Sequence, residues 1–179
     1  MKVRIAGISA ESVTDGPGVR LVVFFQGCPH ACTGCHNPET WAVNGGKAYE
    51  TADLMERLPL TPILSGLTFS GGDPFVQAPA AAQIAGLVKA RSLNLWVYTG
   101  YVWEDLLSKK DKPGVMDLIS LADVIVDGPF QEVKRDLSLV YRGSSNQRFI
   151  DVRSSLAQKR VVLWADQKIT IPNGLAERK

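Results

Sequence analysis

The chain has 179 residues, 45% hydrophobic and 21% charged, which suits one globular domain with a core of its own. Its 20 basic and 18 acidic residues leave a formal charge of +2, too balanced to mark a nucleic-acid or anionic-membrane binder. No apolar run approaches the ~20 residues that cross a bilayer, and the first residues lack a secretion signal, so the expected location is the cytoplasm.

In chain order, residues 3–8 read as a short β lead-in, and residues 19–25, rich in Val and Phe, as a buried strand. Residues 51–58 form a helix with Thr51 as its candidate N-cap. A brief strand follows at 67–70. A helix spans 79–91, with Pro79 near its start and Ile84, Leu87 and Val88 on one face. The next strand is 93–99. Residues 103–107 and 115–121 are helical on either side of the break Lys112-Pro113-Gly114. Strands are expected at 124–126, 149–152 and 161–164. Strands alternating with helices predict βαβ units and a mainly parallel sheet. A closed eight-unit barrel typically needs ~250 residues. The expected fold is therefore α/β, an open partial (β/α) barrel of about five or six units over residues 1–164. Residues 165–179 form a polar C-terminal tail.

All three cysteines, Cys28, Cys32 and Cys35, fall in the loop directly after the first strong strand, spaced C-x3-C-x2-C. An odd, clustered set is a poor disulfide framework and a good metal site. Three thiolates on one loop can each bind a different iron of a cubane cluster, which leaves the fourth iron for an outside ligand. The competing assignment is a structural Cys3His zinc site with His30 or His36 as fourth ligand. Against it, every ligand lies on one short loop and His36 adjoins Cys35.

Other polar, glycine-containing segments end the later strands: Gly71-Gly72-Asp73, Thr99-Gly100-Tyr101 and Asp127-Gly128-Pro129. Each is compatible with an ordinary turn. In a parallel α/β sheet, however, these ends share one edge with the cysteine loop, the edge where such folds bind ligands. Asp15-Gly16-Pro17-Gly18 reads as a turn, and Arg142 to Arg148 as a solvated loop or a site for an anion or a partner backbone.

Together these motifs resemble the radical S-adenosylmethionine superfamily. The C-x3-C-x2-C loop is its signature, and Asp15-Gly16-Pro17-Gly18-Val19-Arg20 resembles its glycyl-radical-activating branch. Cys32 to Trp41, Ser70 to Pro74, Tyr98 to Tyr101, Val126 to Phe130 and Arg142 to Arg148 are similar to the activating proteins of anaerobic ribonucleotide reductases. The resemblance implies a [4Fe–4S] cluster on Cys28, Cys32 and Cys35. It implies S-adenosylmethionine held by Gly34, Cys35 and His36 beside the cluster and by Gly71, Gly72 and Asp73 at its methionine end. No catalytic side chain is implied beyond these ligands. The implied reaction is reductive cleavage of S-adenosylmethionine and hydrogen abstraction from a glycine Cα of the reductase's catalytic subunit. A flavodoxin or ferredoxin would supply the electron. The alternatives are an activating enzyme of the pyruvate formate-lyase type, a small-molecule radical enzyme such as a 7-carboxy-7-deazaguanine synthase, or a non-enzymatic zinc-binding adaptor. An aromatic commonly precedes the third cysteine in this superfamily; Gly34 stands there instead.

Overall fold

Strand periodicity organises the molecule. The computed structural model describes residues 1–165. Its strands are β1 (Lys2–Ser12), β2 (Arg20–Phe25), β3 (Lys47–Glu50), β4 (Gly66–Gly71), β5 (Asn94–Tyr98), β6 (Val124–Asp127) and β7 (Arg148–Asp151). They form one open sheet in the order β3-β1-β2-β4-β5-β6-β7. The central strands β2, β4, β5 and β6 run parallel. Antiparallel strands flank them, β1 and β3 on one side and β7 on the other. The expected open α/β partial barrel is what forms, with its parallel run confined to four strands.

Side chains alternate across a strand, so register divides this sheet into two faces. On one face lie Leu21, Leu67 and Leu95, then Val23, Phe69, Val97 and Ile125, aligned across the parallel pairs. The helices α1 (Thr51–Arg57), α2 (Ala78–Lys89), α3 (Trp103–Ser108), α4 (Val115–Leu121) and α5 (Val152–Gln158) cover it. Their buried apolar residues join these strand residues in one core cluster. The other face carries rows from Val22, Thr68, Trp96 and Val124 and from Phe24, Ser70, Tyr98 and Val126. It holds a smaller aromatic cluster, where Trp96 packs with Tyr98, Tyr141, Phe149 and Trp164.

The helix α2 illustrates how the sequence builds the covered face. Ala81, Ile84, Ala85 and Val88 recur at helical spacing and are all fully buried. Burying Ile84 or Val88 stabilises by about 1.5–3 kcal/mol each. Pro79 stands in the first turn, where its missing N–H costs nothing.

Several elements differ from the sequence expectation. The lead-in strand continues to Ser12, and β3 pairs with its first half, Glu50 opposite Lys2 and Lys47 opposite Ile5. The N-cap of α1 is Glu50; the Thr51 hydroxyl instead donates to Gln83 Oε1 at 2.6 Å. The strand expected at 149–152 stops at Asp151, whose carboxylate caps α5 by accepting from Ser154 N at 2.8 Å. Residues 161–164 form a single bridge, Leu163 with Ile150, rather than a strand. Beyond residue 165, the expected polar tail lies outside the described residues.

Candidate active site

The four parallel strands deliver their loops to one edge, around a cavity of about 700 Å³. At the end of β2, Gly27 takes a φ of +97°, open to glycine at low cost, and turns the chain into the cysteine loop. The loop returns on its own root: Gly27 N donates to Thr40 O at 2.7 Å and Cys28 N to Trp41 O at 3.1 Å. Gln26, almost wholly buried, adds side-chain bonds to the carbonyls of Glu39 and Ala42 at 3.1 and 2.7 Å. The loop is thus closed at its base by the protein's own bonds.

Cys28, Cys32 and Cys35 are half-buried, free thiols on the cavity wall. Burial pushes the Cys28 and Cys32 thiols up, because a thiolate is poorly solvated there. Backbone N–H groups of His30 and Ala31 oppose this at Cys28, and that of Phe130 at Cys32. Asn37 N donates to Cys35 Sγ at 3.4 Å. Among the described residues, no three His, Cys, Asp or Glu side chains converge on a point that one ion could fill. Three thiolates on one loop can bind separate irons of a cubane. The donor set, soft sulfur with N–H groups directed at it, fits a [4Fe–4S] cluster.

His36, Gly71 and Gly72 line the same cavity. Gly34 and Asp73 are not among the residues that line it. Gly34 (φ +72°) is turned toward Phe130 and Glu132; a Cβ there would lie 3.0 Å from Glu132 Oε1. Asp73 is completely buried. Its Oδ1 caps the turn Pro74–Gln77 by accepting from Phe75 N at 3.0 Å. Its Oδ2 accepts from His30 Nε2 at 2.9 Å, Thr99 Oγ1 at 2.8 Å and Gly100 N at 3.0 Å.

Phe24, Ser70, Tyr98, Phe130 and Tyr141 also line the cavity, none of them named from sequence as a metal or cofactor ligand, and so does Arg142, the start of the segment read as a solvated loop or a site for an anion or a partner backbone. Alternation offers a signal for three, since Phe24, Ser70 and Tyr98 form one cross-strand row at the strand ends. Tyr98 donates to Tyr141 O at 2.6 Å, and burial raises its phenol well above the usual range. The guanidinium of Arg142 donates to Gln147 O at 2.6 Å and keeps its buried Nε without a partner.

Two further motifs prove to be built into the frame. Arg20 is 1% exposed and lies over the Trp96 ring, donating to Thr68 Oγ1 at 2.7 Å and Leu67 O at 2.5 Å. Desolvation lowers it to about 10. The turn Asp15-Gly16-Pro17-Gly18 wraps this guanidinium: Pro17 O accepts from it, and Asp15 O accepts from Thr68 Oγ1. In Arg142 to Arg148, the later residues clasp the end of β6. Asn146 Nδ2 donates to Pro129 O at 2.8 Å, and Arg148 grips Asp127 through both oxygens and reaches Glu104.

Three cysteines on a closed loop beside a glycine-rich strand end define an iron–sulfur protein with one cluster. In agreement, a family described as "4Fe-4S single cluster domain" matches residues 14–150. The anaerobic ribonucleoside-triphosphate reductase-activating protein of Escherichia coli K12 is 36% identical over 143 residues, covering 75% of this chain and 90% of that protein. The protein of the same name from Enterobacteria phage T4 is 33% identical over 141 residues, covering 75% and 85%. The chain belongs to this family of activating proteins. Among solved structures, QueE from Escherichia coli aligns with a TM-score of 0.43 and 18% identity, over 56% of this chain and 53% of that one.

Proposed function

We propose that this chain is a radical S-adenosylmethionine enzyme that activates an anaerobic ribonucleoside-triphosphate reductase. The observation that carries the reading is the sharing of one cavity wall by Cys28, Cys32, Cys35, Gly71 and Gly72. When bound, the reduced [4Fe–4S] cluster and S-adenosylmethionine supply an organic radical that takes a hydrogen atom from a glycine Cα of the reductase.

The residues of the cavity wall divide the tasks. The three thiolates hold the cluster, and the closed loop keeps them in place. Cys35 and His36 flank the cofactor on one side. On the other, Gly71 and Gly72 present backbone groups to its methionine end. Tyr98 and Phe130 wall the cavity and exclude water. Arg142 places a cationic guanidinium on the cavity wall, suited to an anionic or carbonyl oxygen. A small one-electron carrier such as a flavodoxin or ferredoxin delivers the electron.

The open side supports a protein substrate. Val13, Leu137 and Val140 line the cavity and are 68%, 85% and 60% exposed. An enclosed pocket is the more usual solution for a small molecule, whereas a peptide loop needs an opening. Glycine is a suitable target because no side chain blocks approach, and the radical must reach near-contact with its Cα.

Cluster-loaded protein, reductant, S-adenosylmethionine and the cognate reductase, mixed without oxygen, should give a glycyl doublet in electron paramagnetic resonance. Replacing the radical glycine of the reductase with alanine should abolish it. The reading is falsified if the protein cleaves S-adenosylmethionine competently yet never places a radical on that reductase.

A further inference from the structure

The Asp73 carboxylate lies behind the cavity wall, bonded to His30, Thr99 and Gly100, which line the cavity together with its own glycine neighbours. It is fully buried and accepts four hydrogen bonds: from Phe75 N, Thr99 Oγ1, Gly100 N and His30 Nε2. His30 Nε2 and Asp73 Oδ2 are 2.9 Å apart, a hydrogen bond in which a carboxylate can only accept. Thr99 Oγ1 itself accepts from Tyr101 N at 3.1 Å, which leaves its hydrogen for Asp73. The donors come from three separate places: the cysteine loop, the turn after β4 and the end of β5. With both oxygens engaged, the carboxylate has little left to offer a ligand.

His30 sits between Cys28 and Cys32, and its position is doubly constrained. Its ring packs edge-on against Tyr101 at 4.5 Å, and a Cβ at Gly100 would land on it. The next residue, Ala31, is held at a φ of +43°, a left-handed conformation that costs an alanine energy and persists only where its surroundings impose it. Pro29 has no N–H, so the amides of His30 and Ala31 are the first backbone donors that follow Cys28 in the loop. N–H groups directed at cluster sulfurs stabilise the reduced, more negative state and so raise the reduction potential.

We propose that the Asp73–His30 pair is a positioning strap: it fixes the backbone at His30 and Ala31 over Cys28, and thereby sets the reduction potential of the cluster rather than binding S-adenosylmethionine. The inference rests on the assignment of the cluster to Cys28, Cys32 and Cys35. It assigns the acidic residue after the two glycines a role in electron transfer, through the loop, with the cofactor's methionine end left to backbone groups.

His30→Phe keeps a ring against Tyr101 but cannot bond Asp73; His30→Gln can still donate to it. Both are reconstituted in the full chain and titrated electrochemically without S-adenosylmethionine. The expected result is a lower midpoint potential and altered reduced-cluster resonance in His30→Phe, with near-native values in His30→Gln. Asp73→Asn, which also removes a charge, is read for affinity alone. The strap predicts that its S-adenosylmethionine affinity stays within about threefold of native, whereas losing a charged bond to the cofactor's ammonium would cost about tenfold or more. If His30→Phe takes up no iron, retention of iron and potential in His30→Gln supports the strap, and loss in both variants overturns it. A native potential in His30→Phe overturns it too, as does Asp73→Asn with a tenfold affinity loss. Failure of the unsubstituted chain to take up iron refutes the cluster assignment itself, a separate outcome.

Discussion

Gly72 stands where the glycine-rich strand end meets the root of the cysteine loop. A Cβ there would fall against the carbonyl of Gly27 and lie 3.0 Å from Thr40 O, both parts of the closed base. Any side chain at this position strains the loop that carries the three cysteines. Gly72→Ala should therefore lower iron uptake and folding stability together, the latter by about 1–3 kcal/mol in denaturant titration. Normal iron with weakened cofactor binding would return the glycine to the cofactor. The cysteines were readable because spacing and soft sulfur alone specify their chemistry. The direction of Asp73 was not. It is decided by donors at His30, 43 residues earlier, and Thr99, 26 residues later, and no local pattern reports where those meet.

At the scale of elements, α2 offers the clearest test. Gly86 lies within the helix, and an added Cβ would meet nothing within 4 Å. Glycine there costs conformational entropy without relieving any crowding. Gly86→Ala should raise stability by about 0.5–1 kcal/mol, seen as a higher denaturant midpoint with an unchanged slope. A decrease would show that α2 packs differently from the description above. Strong periodicity made α2 and the central strands readable, since each carries its own apolar face. The antiparallel margins were less so. Lys47–Glu50 is four residues long and becomes a strand only because β1 lies beside it. Residues 161–164 are apolar enough for a strand, yet they find only one bridging partner. Similarly, α5 begins where a strand was expected to continue, because Asp151 caps it, and a cap is decided by one side chain rather than by a repeat.

Across the whole molecule, the two faces of the sheet divide the labour. All five described helices bury their apolar residues against one face, so most of the core lies away from the cavity. The other face is left free to carry the aromatic cluster and, at its strand ends, the site. The described core involves no metal ligand. In small metal-dependent domains the ion supplies the folding energy and the apo chain is unfolded. Here, metal-free protein should keep its circular dichroism spectrum and melt cooperatively, and Cys28→Ser should do the same while holding little iron. A metal-free chain with the spectrum of a coil would contradict the fold as described. The closed base of the cysteine loop then acquires a meaning in time. Oxygen destroys exposed clusters but does not break the backbone bonds from Gly27 to Thr40 and from Cys28 to Trp41. The loop is a mould that outlasts its casting: a chain stripped by oxidation and then reduced should take up a fresh cluster without refolding, its iron content restored and its circular dichroism spectrum unchanged throughout.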